Sequence, residues 1–367
     1  QRERGRERRR RAQQREVVDH VDVEQLQRHR GAVPVEVLEA ETLRPVRKPA
    51  HLMLEFAPGD CAQVDWGSFG SVPVGATHRR LSFFVMVLCY SRMMYLEFTL
   101  AESMEQFLAC HRHAFEFFQS VPARVMIDNL KVGVLSHPFG QRPVFHPRYL
   151  DLAAHYGFAP VACNVRRANE KGRVENAVGY VKKNFLAGLD IASFAAVNPA
   201  AITWRDTVAN VRLHGETHRK PIDLFTEEKP RLKPLPSVPY DCAVVRPIAA
   251  NGCCCVVFDT NRYTVPHLYA SQQLTLKLYP DQVLLFHHEK LIATHVRSYD
   301  RRQKIRNPDH VKELESQRKR SRDQTVRLTF LGLSPQAEAY ARKLEEKRLN
   351  STHHIRQIVA LSEIYGA

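Results

Sequence analysis

The chain has 367 residues, of which 44% are hydrophobic and 25% charged, as in ordinary folded proteins of two or three domains. No run of about 18 apolar residues occurs, which excludes a membrane-spanning helix, and the basic N-terminus lacks the apolar core of a secretory signal. We therefore expect a cytoplasmic protein that does not act at a membrane.

The charge balance is strongly basic, with 54 Lys and Arg against 39 Asp and Glu, a net charge of +15 and a pI near 9.6. The excess is concentrated in residues 1–15 and 297–327. A polyanion is the expected partner, because each phosphate that a cation neutralises releases condensed counterions. Charge alone fits ribosomal, RNA-binding and DNA-binding proteins equally, so it narrows the partner and not the reaction.

The cysteines and histidines do not form a metal-binding pattern. The eight cysteines include no C-x-x-C pair, and we expect reduced thiols. His214 and His218 have the spacing of two ligands on one helix turn, but no second ligand pair lies at zinc-finger distance. We interpret them as ordinary hydrogen-bonded or solvated side chains.

Secondary-structure signals alternate along the chain. Residues 1–48 are rich in Arg, Glu and Gln at the start and show no sustained periodicity, and we expect a basic, disordered or irregular arm. Strands are predicted at residues 62–65, 71–74, 81–90, 93–100, 121–127 and 158–163. A helix is predicted from Ser103 to Phe118, where Ser103 and Gln106 form a capping box, and further helices at residues 148–156 and 169–186.

With residues 93–100 as the third long strand, the order is three strands, helix, strand, helix, strand and helix, which is the ribonuclease-H-like arrangement. We predict an α/β core with a mixed five-stranded sheet over residues 49–228. A Pro-rich linker follows at residues 229–239, and short alternating strands over residues 240–300 predict a small β-barrel. Residues 301–367 return to a helical pattern with many basic residues.

Three carboxylates stand at positions that such a core would bring together. Asp65 lies at the end of the first strand, Asp128 follows the strand at residues 121–127, and Glu175 lies one to two turns inside the last core helix. Exchange of a phosphodiester needs an activated nucleophile and a stabilised leaving oxygen, which two Mg²⁺ ions held by a few carboxylates can supply. We predict that these three residues are catalytic and bind the metal. Glu170, at the start of the helix, is the alternative third carboxylate.

The same helix is basic on one side. Its cations are Lys171, Arg173, Lys182 and Lys183. We predict that they contact phosphates beside the metal site, because such contacts position a nucleic acid without reading its sequence. The alternative is an ordinary solvated face of the helix.

Several segments resemble the IstA-type transposases of bacterial insertion sequences, which are relatives of the phage Mu transposase and of retroviral integrases. The segments around the carboxylates are PGDCAQVDWGSFG, RVMIDNLKVGV and NEKGRVENAVGYVKKNF. Further along the chain they are VANVRLHGETHRKPIDLF, DTNRYTVPHLYASQQLTLKLYPD and HHIRQIVALSEIYG. The resemblance covers about residues 45–367.

The resemblance implies a D,D,E site with Mg²⁺ or Mn²⁺, formed here by Asp65, Asp128 and Glu175. Water first frees a 3′-OH at the end of the element, and that 3′-OH then attacks target DNA. The resemblance also implies recognition of terminal inverted repeats, a homo-oligomer on paired DNA ends and an AAA+ helper ATPase.

Two alternatives stay open at this point. The first is a truncated, assembly-deficient DNA-binding relative, because residues 1–48 do not resemble the helix-turn-helix region with which such transposases begin. A ribonuclease-H-like nuclease that only hydrolyses is the other. Tyrosine and serine recombinases are disfavoured, because they need a nucleophilic hydroxyl and the acidic residues already account for the chemistry.

Overall fold

A computed structural model of the chain describes residues 55–367, except residues 129, 139–140, 164–171, 190, 192, 348 and 367. The predicted arm at residues 1–48 and the candidate site residues Glu170 and Lys171 lie outside the described residues. Within the described part, no helix is both long enough and apolar enough to cross a membrane.

The first part of the molecule is a mixed five-stranded sheet. Its strands are β1 (Cys61–Val74), β2 (Thr77–Leu88), β3 (Met94–Thr99), β4 (Arg124–Ile127) and β7 (Ala159–Ala162), and a separate hairpin is formed by β5 (Val134–Ser136) and β6 (Val144–Phe145). The order is β3-β2-β1-β4-β7. The first three strands are antiparallel, whereas β4 lies parallel to β1 and β7 parallel to β4. The predicted α/β class with a mixed five-stranded sheet is confirmed.

β1 is one strand where the sequence predicts two, at residues 62–65 and 71–74. Its pairing with β2 continues through both segments and shifts register between Ser68 and Ser71, where a bulge interrupts the ladder. Gly67 weakens the local strand signal, but β2 pairs with β1 on both sides of the bulge. The prediction of two strands is wrong, because tertiary pairing outweighs local propensity.

Helices cover both faces of the sheet. One face carries α1 (Met104–Phe118) and α2 (Pro147–Tyr156), and the other carries α3 (Gly172–Tyr180) and α4 (Phe194–Trp204). α3 and α4 continue into single wide turns, Val181–Phe185 and Arg205–Ala209, and α5 (Pro221–Glu228) follows. β2 is buried on both sides, because alternate residues such as Phe83 and Phe84 enter the two different hydrophobic clusters.

The start of α1 differs from the predicted capping box. Ser103 is the N-cap residue, but its hydroxyl donates to the Glu105 carboxylate and bonds no helix N–H. The Gln106 side chain donates to the Tyr299 hydroxyl at 2.6 Å and does not fold back onto the cap. The predicted capping box is wrong, because the Gln106 side chain, which would have bonded the N-cap backbone, instead bonds Tyr299, a residue distant in sequence.

Two smaller sheets follow the core. β8 (Val244–Ala249), β11 (Gln273–Leu278), β12 (Gln282–His287) and β13 (Lys290–Val296) form an antiparallel sheet in the order β13-β12-β11-β8. β9 (Cys255–Phe258), β10 (Asn261–Thr264) and β14 (Lys304–Ile305) form a three-stranded sheet in the order β14-β10-β9. Val256 and Tyr263 of the second sheet share one hydrophobic cluster with Leu276 and Leu285 of the first.

Three helices end the described chain: α6 (Lys312–Leu333), α7 (Ala337–Glu346) and α8 (Ser351–Tyr365). Their common cluster contains five buried residues, which are Phe330, Ala337, Ala341, Ile355 and Val359. Most of α6 is exposed, with Phe330 as its buried residue. This part is therefore held by a much smaller apolar core than either of the sheet regions.

The Pro-rich segment at residues 229–239 packs on the five-stranded part. Leu232 belongs to the hydrophobic cluster of α1 and α2, and Lys233 exchanges backbone hydrogen bonds with Val121. The C-terminal sheets are joined to the same core through Arg297, which forms a buried ion pair with Glu105 at 2.7 Å. These contacts connect the sheet regions into one packed unit.

Candidate active site

Asp65 and Asp128 belong to two neighbouring parallel strands. Val64 of β1 pairs with Ile127 of β4, so the next residues, Asp65 and Asp128, are level with each other. Residues at one level of paired strands point to the same face of the sheet, and neighbouring strands lie about 4.8 Å apart. The register of β1 and β4 therefore brings the two Asp positions side by side.

The face that they share is the one covered by α3. Gln63, two residues before Asp65, is buried there, and its Nε2 donates to Met126 Sδ at 3.7 Å. Its Oε1 accepts from the Val174 N–H of α3 at 3.2 Å. Because side chains alternate along a strand, Asp65 lies on the same side as Gln63. Gln63 thus connects β1 with β4 and with α3. The sequence analysis did not single out this residue. The one sequence feature that could have indicated it is a polar residue within an apolar strand.

The backbone around Asp65 is held from both faces of the sheet. Asp65 Oδ1 accepts from the Trp66 N–H at 2.9 Å. The Trp66 ring packs edge-on against Phe84 on the opposite face, with the ring centroids 5.6 Å apart. Phe83 lies so close to Gly67 that a Cβ at Gly67 would come within 2.0 Å of the ring. Asp65 is consequently half-buried between two tightly packed aromatic contacts.

Glu175 lies in the first turn of α3 and is exposed. Its neighbour Val174 is fully buried and bonded to Gln63, so the start of α3 covers the face that carries Asp65 and Asp128. Within the described part of the chain, no group of three or more His, Cys, Asp and Glu side chains is arranged to hold a metal ion. The structure thus brings the two Asp positions together and does not gather Glu175 into a metal-binding group with them.

The predicted DNA-contacting residues occupy different environments. Lys182 and Lys183 are exposed in the wide turn that continues α3. Arg173 is partly buried, and its guanidinium stacks on Phe56 at 4.4 Å from the ring centroid. Lys182, Lys183 and Arg173 therefore lie on the helix that carries Glu175 or on its continuation. The two lysines face solvent, and Arg173 packs against Phe56.

Comparison with known proteins gives a relationship in sequence. Residues 235–307 match the family model described as Mu transposase, C-terminal domain. The chain is 33% identical over 218 residues to the putative transposase for insertion sequence element IS5376 of Geobacillus stearothermophilus, covering 58% of this chain and 54% of that protein. It is 30% identical over 257 residues to the transposase for insertion sequence element IS21 of Pseudomonas aeruginosa, covering 69% and 64%. The chain is related to insertion-sequence transposases and spans between half and two thirds of the length of these curated relatives.

Solved structures of viral integration proteins also align with the chain. The intasome of simian T-cell lymphotropic virus in complex with the PP2A regulatory subunit B56 gamma aligns over 76% of this chain and 93% of its own, with 15% identity and a TM-score of 0.35. The HTLV-2 integrase catalytic core domain in complex with magnesium aligns over 46% and 97%, with 14% identity and a TM-score of 0.34.

Proposed function

We propose that this chain, which is related in sequence to insertion-sequence transposases, is the catalytic part of a DNA transposase. It would cleave the phosphodiester at an element end and join the resulting 3′-OH to target DNA. The observation that carries the proposal is the parallel register of β1 and β4, by which Asp65 and Asp128 stand level in the middle of the sheet. Further support comes from the sequence relationship over 58% and 69% of this chain.

The strand order supports a ribonuclease-H-like core. Three antiparallel strands, β3-β2-β1, are extended by the parallel strands β4 and β7, and helices cover both faces. We further propose that the strands over residues 240–300 close into one small β-barrel, because their two sheets share a hydrophobic cluster. The proposed domains are then the core at residues 49–228, the barrel, and a basic helical segment at residues 301–367.

The donor set fits divalent cations. Mg²⁺ and Mn²⁺ prefer hard oxygen ligands, and Asp65 and Asp128 offer two carboxylates on strands about 4.8 Å apart. Two bound ions would activate the attacking oxygen and stabilise the leaving oxygen in an in-line displacement. Glu175 is the third ligand in this proposal. Because carboxylates repel one another, three of them gather closely only where cations neutralise their charge.

The chain's own groups prepare this arrangement. Gln63 holds the start of α3 through the Val174 N–H. In this proposal, metal binding draws the exposed Glu175 side chain towards the Asp pair. Burial of Val174 keeps the helix in place while that side chain moves. Lys182 and Lys183, on the continuation of the same helix, are proposed to contact phosphates beside the carboxylates.

DNA is the proposed substrate, in accord with a net charge of +15. A reaction that joins two element ends to one target needs a catalytic site for each end, so we propose a homo-oligomer assembled on DNA. An AAA+ helper ATPase is a further proposed partner, and it follows from the IstA resemblance alone.

Strand transfer from a pre-cut element end with a free 3′-OH tests this function. The end duplex is taken from DNA that flanks the coding sequence, and the reaction is run in Mg²⁺ and in Mn²⁺. We expect the unaltered chain to join the end to target DNA and Glu175→Gln to lose joining. Asp223→Asn removes an exposed carboxylate of α5 and is the matched control, which should join normally.

The outcomes separate the candidate activities. Joining that persists in Glu175→Gln would exclude Glu175 from the site. Cleavage of the duplex without joining would favour a hydrolytic nuclease over a transposase. Retained DNA binding with neither reaction would favour an assembly-deficient relative.

A further inference from the structure

A small basic pocket opens beside the start of α3. Its polar lining consists mainly of Arg92, Arg173, Arg212, His214 and Glu216, and we call it the arginine pocket. Its volume is about 50 Å³. A water molecule occupies roughly 10–15 Å³ on such a measure, so the pocket has room for about four oxygen-sized groups. Four oxygens is the number that surrounds the phosphorus of a phosphate.

Arg92 lines this pocket at a conformational cost. Its side chain is buried, and its backbone has a φ of 64°, in the left-handed region that residues other than Gly and Asn rarely adopt. The turn between β2 and β3 that carries it is held by the buried Glu228, which accepts from the Ser91 N–H at 3.1 Å. Backbone strain of this kind concentrates at functional sites, so the use of arginine here points to a role for its guanidinium.

The guanidinium of Arg92 is only partly neutralised. One terminal nitrogen donates to Glu216 at 2.6 Å and the other to the Cys89 carbonyl at 2.5 Å. Its Nε is buried and has no partner among the described residues. Burial lowers the pKa of Arg92, and the nearby charge of Arg173 lowers it further. The charged form of Arg92 therefore lacks part of the solvation and pairing that it would have in water.

Arg212 and His214 contribute further cationic and donor groups. The Arg212 guanidinium stacks on the Tyr180 ring, 3.9 Å from its centroid. His214 Nδ1 accepts from the Glu216 backbone N–H at 3.3 Å, so the neutral imidazole carries its proton on Nε2, where it can donate. Burial, then Arg212 and Arg92, lower the pKa of His214. Positive charge is thus in excess around this ring.

The pocket lies next to the candidate active site. Val87, which lines it, pairs with Gln63, two residues before Asp65 on the adjacent strand. One strand spacing of about 4.8 Å and two residues of about 6.7 Å put the Val87 backbone roughly 8 Å from that of Asp65. At about 3.4 Å per nucleotide along one strand, this distance corresponds to roughly two or three nucleotides.

We propose that the arginine pocket holds one backbone phosphate of the DNA strand that reacts, roughly two or three nucleotides away, at Asp65 and Asp128. This inference rests on the proposed function, because it requires DNA as the substrate. Arg212 and His214 Nε2 supply the donors, and the phosphate supplies negative charge and acceptor oxygens that match arginine geometry. The strand belongs either to the element end or to the target, which offer the same phosphate chemistry.

A purely structural ion pair does not account for the pocket. Pairing of Arg92 with Glu216 uses the single carboxylate in the described lining. Arg212 lines the same space, so Arg92 and Arg212 share it with one glutamate and the positive charge of these groups stays in excess. An anionic ligand balances that excess, whereas a structural pair would need a second acidic residue.

Two substitutions of opposite expected effect test the inference in the full chain. Binding of a fluorescein-labelled DNA duplex is measured by anisotropy in EDTA over a range of salt concentrations. Arg212→Gln should weaken binding about tenfold. It should also reduce the slope of log Kd against log salt concentration by about 0.9, the value for one phosphate contact. Glu216→Gln should tighten binding about threefold by removing the competing carboxylate, a gain that misfolding cannot produce.

Arg219→Gln is the matched control. It makes the same change of charge in the same segment, but Arg219 is exposed and pairs with Glu227 outside the pocket. Its Kd and salt slope should stay within about twofold of the unaltered chain. An unchanged Kd and slope in Arg212→Gln, or no tightening in Glu216→Gln, would overturn the inference.

The design separates this inference from the proposed function, because binding in EDTA does not require catalysis. Normal joining together with unaltered binding by Arg212→Gln would refute only the pocket. The predicted changes in binding without any joining would refute only the transposase activity. Neutral methylphosphonate linkages, placed in turn in the end duplex and in the target duplex, identify the source of the phosphate. A neutral linkage at one position should weaken binding by the unaltered chain and leave binding by Arg212→Gln unchanged. If no position in either duplex shows this difference, the inference is overturned.

Discussion

The contact between the core and the C-terminal sheets differs from the candidate site in how charges are arranged. At the contact, Arg297 meets Glu105 at 2.7 Å, with 5% and 2% of the two side chains exposed. Asp300 accepts from the Ala76 N–H and from the Thr77 hydroxyl, each at 3.1 Å. These charges find partners inside the protein, and they join two parts of the chain that are far apart in sequence.

At the candidate site, charges of like sign are brought together. Asp65 stands level with Asp128, and Arg92 and Arg212 line one small pocket beside them. Gathering like charges costs folding free energy unless a ligand of opposite sign neutralises them. The comparison shows that opposite charges meet where two parts of this chain are held together, whereas charges of like sign also stand side by side where we propose that the chain binds cations and phosphates.

Breaking the acidic half of the site has the largest expected effect. Asp65→Asn keeps the size of the side chain but removes the charge that would hold a cation. We expect metal-dependent cleavage and joining to fall by at least about 10³-fold, because a catalytic ion contributes several kcal/mol. The same loss is expected for Asp128→Asn. Initial rates in Mg²⁺ measure it, and a rate equal to that of the unaltered chain would exclude the substituted residue from the site.

Breaking the buried pair tests the other side of the comparison. Arg297→Ala leaves Glu105 buried without its cation, and we expect the free energy of unfolding to fall by about 3–5 kcal/mol. The double variant Arg297→Met with Glu105→Leu removes both charges and should stay within about 1 kcal/mol of the unaltered chain. Urea denaturation followed by circular dichroism measures both. A double variant as unstable as the single one would show that packing, and not charge pairing, had been lost.

Loosening the support of α3 should have an intermediate effect. Gln63→Leu leaves the buried Val174 N–H without its acceptor, so the start of the helix is held less firmly. We expect the Mg²⁺ concentration for half-maximal cleavage to rise about 10–100-fold, as for other groups that orient metal ligands. DNA affinity in EDTA should not change. Gln106→Leu removes a comparably buried amide at the distant contact with Tyr299, and an equal rise there would mean that the effect is general destabilisation.

An exposed ion pair should have the smallest effect. Arg356 of α8 pairs with Asp323 of α6, with 45% and 29% of the side chains exposed. Arg356→Gln should lower the free energy of unfolding by less than about 1 kcal/mol, and high salt should remove the difference. Urea denaturation at two salt concentrations checks this. A loss as large as that of Arg297→Ala would contradict the view that burial decides what a charge pair contributes.

Much of the frame of the site could be predicted from local pattern. The strand predicted at residues 93–100 is Met94–Thr99, and the helix predicted at residues 148–156 is Pro147–Tyr156. Buried strands and amphipathic helices leave a periodic signal within a few residues, which is why these elements were found. The candidate carboxylates Asp65 and Asp128 follow from the same signal, since each stands beside an apolar strand segment. Their catalytic role stays a prediction.

Other features could not be predicted, because their partners are far away along the chain. Gln63 meets Val174 across 111 positions, and Glu105 meets Arg297 across 192. Gln106 was predicted to close a local cap and instead bonds a hydroxyl 193 positions away. Local pattern identifies each of these side chains as polar and does not identify the group that it meets.

The sequence by itself determined most of the elements and the chemistry that they carry: the apolar run that is buried in β2, the carboxylates beside β1 and β4, and the net charge of +15. Only the tertiary structure decided the register that aligns Asp65 with Asp128, the burial of the Glu105 ion pair and the excess of positive charge around Arg92. The reason is physical. Backbone elements depend on neighbours within a turn or a strand, whereas burial and electrostatics depend on groups that only folding brings together.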